Sequence, residues 1–400
     1  MTVIAATGPA PARRPPLLVL IAASAVNPLA LNMFVPSMPG MEAAFHTTYA
    51  KVQLALSLYL AAVAVAQLVL GPLSDRFGRR PVMIAGLTLF VVGTLVCRFA
   101  PTIEMLIAGR VVQGAGSCTG LVLTRAIVRD LYDRNQAASM IGLVTMGMAV
   151  APALGPAIGG YLDELHGWTA TFDLLLGFGL LVTLASWRYL TETNRDPQSG
   201  GGIGALAGSI VTLMRIPMFR VFAFTCTFSS AIFFTYIGGA PYVAQKLMGV
   251  GTREIGFWFM LIAVGYVIGN FGSARYAGRF GVLRMMLVGN LGGVAACAAM
   301  ALLFWVGVMH PIAIFGPVFV LGIANGIALP STMSSGVSVR PDLAGAASGL
   351  IGSMQVGGGA LATVVVGALL EDTPWPLVLA MLTLSVLALL TGLLARRDRS

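Results

Sequence analysis

The chain has 400 residues, 57% of them hydrophobic and only 10% charged, with 49 glycines and a mean hydropathy of +0.88. Soluble domains carry about 25% charged residues, so a water-soluble enzyme and a disordered chain are both excluded. The net charge of +9 does not indicate nucleic-acid binding, because the arginines stand singly or in pairs and form no basic face. What remains is an integral membrane protein whose solvent is mostly lipid.

A helix needs about 20 apolar residues to cross the hydrocarbon core, and it must satisfy its backbone groups internally. Twelve such stretches are read, at 17–35, 52–70, 82–100, 104–124, 138–161, 172–190, 219–240, 255–274, 285–307, 312–333, 345–369 and 376–395. The first follows Arg13 and Arg14 as a signal-peptide core would. Its apolar run is too long for one and eleven spans follow, so it is kept as a helix. Long runs without strict alternation exclude a β-barrel.

The one long polar interruption, 191–217, begins Thr191-Glu192-Thr193-Asn194-Arg195-Asp196-Pro197 and divides the spans six and six. The expected fold is therefore all-α and membrane-integral. An N-terminal six-helix bundle (1–190), a cytoplasmic linker (191–217) and a C-terminal six-helix bundle (218–400) follow in order.

Orientation is read from the basic residues. With a cytoplasmic N-terminus, nineteen fall on the inner side, among them Arg13, Arg14, Arg195 and Arg399, and only Lys51, Arg98, Lys246 and Arg253 fall outside. That bias places both termini in the cytoplasm. The 15 acids avoid the span interiors, and His46, His166 and His310 fall in outer loops. Cys97, Cys118, Cys226 and Cys297 show no ligand spacing and read as small core residues, so no metal is expected.

Two short strings recur at equivalent junctions. Arg76-Phe77-Gly78, between the second and third spans, returns as Arg279-Phe280-Gly281 between the eighth and ninth. Ala137-Ala138-Ser139 returns as Ala346-Ala347-Ser348 at the starts of the fifth and eleventh spans. Parallel six-helix repeats of this kind place a substrate site at their interface near the midplane.

The candidate functional residues follow from motifs and from polarity inside spans. The first span ends Asn27-Pro28-Leu29-Ala30-Leu31-Asn32-Met33-Phe34-Val35-Pro36. After the second comes Gly71-Pro72-Leu73-Ser74-Asp75-Arg76-Phe77-Gly78-Arg79-Arg80-Pro81, a tight basic loop that the arginines hold at the inner surface. The fourth span carries Gly109-Arg110-Val111-Val112-Gln113-Gly114. Arg110 lies about 10 Å inside its helix, and a cation at that depth marks a functional position. Gln113 and Gly114 share its face at i+3 and i+4.

In the fifth span Gly147, Ala151, Gly155 and Gly159 form a smooth strip at i+4 spacing, beside Pro152 and Pro156. Asn27, Asn32, Tyr59, Met146, Tyr236 and Asn325 are further cavity candidates, each a polar or adaptable residue at plausible depth.

The 71–81 string closely resembles the loop signature of the major facilitator superfamily, and the strings around Arg110 and from Gly147 to Gly160 resemble that superfamily's fourth-span and exporter motifs. With the first-span string, Asp130, Tyr132 and Glu192-Thr193, the chain resembles the Bcr/CflA drug-resistance group, which includes phenicol exporters.

The resemblance implies a drug:proton antiporter of the bacterial inner membrane. It needs no cofactor beyond the proton gradient, acts on small-molecule drugs, meets membrane lipid but no nucleic acid, and is expected to be a monomer. It implies proton coupling and cavity electrostatics for Arg110. For Asp75 it implies a latch against the start of the eleventh span in the outward-facing state, formed with Gly71, Arg76, Gly78, Arg79 and Arg80.

One departure stands out: the group typically has an aspartate where this chain has Asn32. An amide cannot change charge with pH, so a preference for neutral or anionic amphipathic drugs is expected. The other reading left by the sequence is a facilitator dedicated to one metabolite. A membrane enzyme would need converging His, Asp or Glu, which the spans do not offer.

Overall fold

The computed structural model describes residues 15–148, 150–194 and 202–397. Arg13, Arg14, Arg195, Asp196, Pro197, Arg399 and Ala149 lie outside the described residues.

Among the described residues, twelve helices are long and apolar enough to cross a membrane. In the first half they are α1 (Leu17–Ala44), α2 (Tyr49–Phe77), α3 (Arg79–Arg98), α4 (Ile103–Leu131), α5 (Ser139–His166) and α6 (Thr169–Tyr189). The second half holds α7 (Pro217–Leu247), α8 (Thr252–Phe280), α9 (Val282–Trp305), α10 (Ile312–Ser338), α11 (Pro341–Leu369) and α12 (Trp375–Ala395).

Each expected span is present, and several run further than their apolar runs. Helix α2 continues to Phe77 because Thr48 caps its start, accepting from Lys51 N, while Gly78 ends it. Thr102 likewise caps α4, accepting from Met105 N, with Glu104 in the first turn where the helix dipole favours an acid. Helix α1 passes the expected end at 35 and reaches Ala44 through a 3₁₀ turn at Val35–Ser37, where Pro36 and Pro39 interrupt the α-helical ladder.

The interruption between the halves is not polar throughout. A further helix, Gly202–Arg215, lies within it. Leu213 is fully buried in a cluster with Phe219, Ala347 and Ile351, and Ile210 and Met214 pack on the same cluster. These linker-helix residues fall on one face of a helical turn, which explains why a stretch too short to span still folds as a helix. The linker helix packs on α7 and α11 and also on α2 of the first bundle.

The internal repeat has a backbone counterpart. Gly78 and Gly281 adopt nearly the same left-handed conformation, φ 96° with ψ 152° and φ 82° with ψ 148°. Their N–H groups cap Ser74 O and Ala277 O in the same way. Only glycine adopts this geometry without strain, so the Arg-Phe-Gly recurrence marks two equivalent helix stops.

The two bundles meet along two antiparallel seams, α2 with α11 and α5 with α8. The α5–α8 contact is made near the end of α5 and the start of α8. A Cβ on Gly256 would meet Pro156 O, and one on Gly160 would meet Thr252 O, each at 2.5 Å. At the same end Lys246 pairs with Glu42 at 3.0 Å. The bundles are therefore closed at the end that carries the α1–α2 and α7–α8 turns.

Candidate substrate and coupling site

Arg110 is fully buried at the junction of four helices. Its Nη1 donates to Ala30 O of α1 at 3.2 Å and to Gln113 Oε1, one turn on in α4, at 2.5 Å. Gln113 Nε2 in turn donates to Thr94 Oγ1 of α3 at 2.8 Å. The guanidinium carbon lies 4.4 Å from the Phe34 ring centroid and 4.0 Å from that of Tyr59. Each desolvated cation–π contact is worth about 2 kcal/mol, against a penalty of several kcal/mol for taking the charge out of water.

Two of its nitrogens, Nε and Nη2, have no hydrogen-bond partner. Among the described residues the ion pairs lie near helix ends, and none includes Arg110. The site is thus a cation held by rings and carbonyls, with two donors to spare.

Tyr59 is fixed by a network of its own. Its hydroxyl lies 2.9 Å from Ser117 Oγ and accepts from Asn27 Nδ2 at 3.1 Å, while Asn27 also donates to Ser117 Oγ at 2.8 Å. Gly114 makes the approach of α4 to α2 feasible, since a Cβ there would stand 2.6 Å from Tyr59 O. Asn32 is buried a turn beyond, and its Nδ2 donates to Pro28 O at 2.7 Å. Its Cβ faces Gly155 of α5.

The structure thus brings Asn27, Tyr59, Arg110 and Gln113 together, while Asn32 lies on the side of α1 that meets α5. The other candidates lie elsewhere. Tyr236 belongs to the second bundle, stacked on Phe259 at 4.7 Å with its hydroxyl unpartnered. Asn325 donates to Ser229 O at 3.4 Å in the same bundle. Met146 is 67% exposed and belongs to α5, which supplies none of the Arg110 contacts. The strip Gly147, Gly155 and Gly159 faces Ile21, Asn32 and Met33 of α1, whereas Met146 shares a face with Ala157 and Gly160, which meet α8 of the second bundle.

Pro156 is buried and Pro152 half-buried on that helix, and Ala151 is buried with the strip. Each proline removes a backbone donor, which permits the bending that close parallel packing on α1 needs.

The 71–81 loop is bound to its own bundle. Arg79 Nη1 lies 2.5 Å from Asp75 Oδ1 and its Nε 3.0 Å from Asp130 Oδ2. Glu192 accepts from Arg79 N at 2.9 Å and Arg80 N at 3.1 Å, placing a carboxylate on the positive end of α3. Arg80 Nη2 donates to Trp187 O at 2.9 Å, and Asn194 Nδ2 to Asp75 O at 2.7 Å. A Cβ on Gly78 would collide with Glu192, whereas Gly71 has open space around it. Arg76 lies over the ring of Phe77. Asp75 is paired within its own bundle, to Arg79.

The profile of the Major Facilitator Superfamily matches residues 20–363. The chain belongs to that superfamily. Among its relatives, Multidrug resistance protein D of Escherichia coli (strain K12) is 30% identical over 364 residues, covering 89% of each chain. The Chloramphenicol resistance protein of Pseudomonas aeruginosa is 28% identical over 376 residues, covering 90% of this chain and 86% of its own. A crystal structure of a D-xylose-proton symporter superposes with a TM-score of 0.75 at 13% identity, covering 95% of this chain and 96% of that one, and so shares the fold.

This facilitator-superfamily chain is accordingly a multi-pass membrane protein, and the family and fold are those of transporters. The expectation of the Bcr/CflA resemblance is met by relatives named for resistance to drugs and antibiotics.

Several residues of this transporter's site escape a reading of the sequence alone. Phe34 and Thr94 come from other helices, and no spacing within α4 announces them. Ser117 is detectable, since it lies seven residues after Arg110 on the same face of α4.

Proposed function

We propose that this transporter exports small amphipathic drugs by alternating access, taking neutral or anionic molecules in preference to cations. The observation that carries the reading is Arg110, a fully buried cation without a carboxylate partner, in a chain whose relatives include drug-resistance proteins. Uncompensated positive charge repels lipophilic cations. The unpartnered Nε and Nη2 suit an electron-rich or acidic oxygen on the drug, and the Phe34 and Tyr59 rings suit its apolar part.

Export is driven by proton influx, with no cofactor or nucleotide and no chemical turnover of the drug, so the protein is not an enzyme. Asn32 stands where the group typically has an acid, and an amide is not the proton carrier. The bundles 1–190 and 218–400 rock about the site, joined by the cytoplasmic linker 191–217. The chain works as a monomer in the bacterial inner membrane with both termini in the cytoplasm. The 71–81 loop, with Asp75, Arg79 and Arg80, is the latch of the alternate state. The α5 strip is the packing surface on which that half of the bundle slides.

The test is expression in an efflux-deficient bacterium against a drug panel, with drug-induced proton release measured in vesicles. Resistance to a neutral or anionic drug, lost in Arg110→Ala, is expected. Transport of a lipophilic cation that depends on Arg110 but on no acid would overturn the charge preference. Unchanged susceptibility with uptake of a single metabolite would favour a dedicated facilitator.

A further inference from the structure

The α2–α11 seam is polar, and one of its side chains is buried with nothing to bond to. Tyr49, Gln53, Ser57, Ala64 and Gln67 form one stripe along α2. Tyr49 Oη donates to Gly238 O of α7 at 2.7 Å, Ser57 Oγ meets Thr363 Oγ1 of α11 at 2.7 Å, and Ser353 Oγ donates to Ala64 O at 2.7 Å. Each of these crosses from one bundle to the other. Gln53 lies among them, 1% exposed, yet neither its amide nitrogen nor its amide oxygen has a hydrogen-bond partner.

The amide fits a slot made by two glycines of the second bundle. A Cβ on Gly238 would stand 2.5 Å from Gln53 Nε2, and one on Gly367 of α11 would collide with Gln53 Oε1. The slot belongs to the second bundle and Gln53 to the first, so the amide is seated only while the bundles are closed at this end. The Tyr49 and Tyr242 rings, 4.5 Å apart, the Glu42–Lys246 pair at 3.0 Å, and Glu371 and Asp372, whose charges act on Tyr242, are the titratable and charged groups around it among the described residues.

We propose that Gln53 is a positioning residue for the transport cycle: its unbonded amide, seated between Gly238 and Gly367, weakens the closed seam enough for the bundles to part. An apolar side chain of the same shape would fill the slot without a desolvation cost and hold the seam shut. The neighbouring hydrogen bonds give the seam its register, and Gln53 keeps it reversible. The location of the slot does not depend on what the transporter carries.

Spin labels on cysteines introduced at Ala50 and Glu371, both exposed and on opposite bundles, read the opening directly, since the four native cysteines are buried. Gln53→Met should raise the closed-to-open ratio roughly tenfold, because it removes an unsatisfied buried amide. It should also lower the maximal export rate without raising apparent KM. Gln53→Glu adds a charge to the slot, so its closed population should grow as pH falls from about 8 to about 5, beyond any change in the unsubstituted chain.

An unchanged distance distribution in Gln53→Met, or a Gln53→Glu response identical to that of the unsubstituted chain, would overturn the proposal. If Gln53→Met fails to fold, the glutamate variant decides alone. The distance measurement needs no substrate, so it stands or falls apart from the drug-export reading.

Discussion

The Arg110 guanidinium carbon lies 4.0 Å from the ring centroid of Tyr59, and that ring is the group in α2 that faces the buried charge. The pairing replaces what a carboxylate would otherwise do. A carboxylate would neutralise Arg110 and use up its donors, whereas a ring stabilises the cation and leaves Nε and Nη2 free. The charge is therefore stabilised without being neutralised.

Tyr59→Phe keeps the ring and loses the hydroxyl that lies 2.9 Å from Ser117 Oγ. It should cost about 1 kcal/mol of stability and leave export nearly intact. Tyr59→Leu removes the ring, and loss of a desolvated cation–π contact worth about 2 kcal/mol should lower export by more than tenfold. Initial efflux rates of the two variants in vesicles, at matched protein content, check the contrast. Equal losses would show that the hydroxyl network, and not the ring, supports Arg110.

Helix α4 approaches α1 at Gly120 so closely that a Cβ there would overlap the Ala23 carbonyl group. Backbone cannot yield as a side-chain tip can, so Gly120→Ala should destabilise the first bundle by about 1–3 kcal/mol. Gly142 has open space where its Cβ would go, so Gly142→Ala should be neutral or slightly stabilising. The midpoints of thermal unfolding in detergent should separate the two, with only Gly120→Ala lowered.

The twelve spans were legible because lipid forces long apolar runs, and the structure keeps every one of them. Their ends were not, because residues such as Ser74 and Asp75 belong to α2 yet are as polar as any loop. The helix Gly202–Arg215 was hidden in a segment that its flanking residues made look uniformly polar.

At the site, the Arg110–Gln113 contact could be read from i+3 spacing, but the rings that cage Arg110 come from α1 and α2. Which face of α5 packs on α1 and which meets α8 is decided by the glycine strip, and that contact needs the fold. Gln53 was visible as a polar residue four positions from both Tyr49 and Ser57, but its glycine slot belongs to the other half of the chain.

Glu192 joins the end of α6 to the start of α3 by accepting from Arg79 N and Arg80 N at 2.9 Å and 3.1 Å. Glu192→Ala should cost about 1 kcal/mol, and less in high salt, because it removes both a cap and a charge from a helix N-terminus. Glu192→Gln retains an acceptor oxygen and should recover part of that loss. Thermal unfolding at low and high salt checks both: the difference between Gln and the natural Glu should shrink with salt.

Asn32→Asp tests the charge argument at the site itself. The Asn32 amide donates to Pro28 O at 2.7 Å, and an ionised carboxylate has no proton to make that bond. The aspartate must therefore either take up a proton or turn away from the carbonyl. Either outcome supplies the titratable acid that the natural chain lacks at this position, and the ionised form offsets the positive charge of the site. Export should extend to lipophilic cations in the variant, with a dependence on external pH absent from the natural chain, while export of anionic drugs falls several-fold. Drug-susceptibility profiles paired with vesicle transport across a pH series measure both changes. If the substrate range and the pH profile stay as they are, selectivity is set by residues other than Asn32.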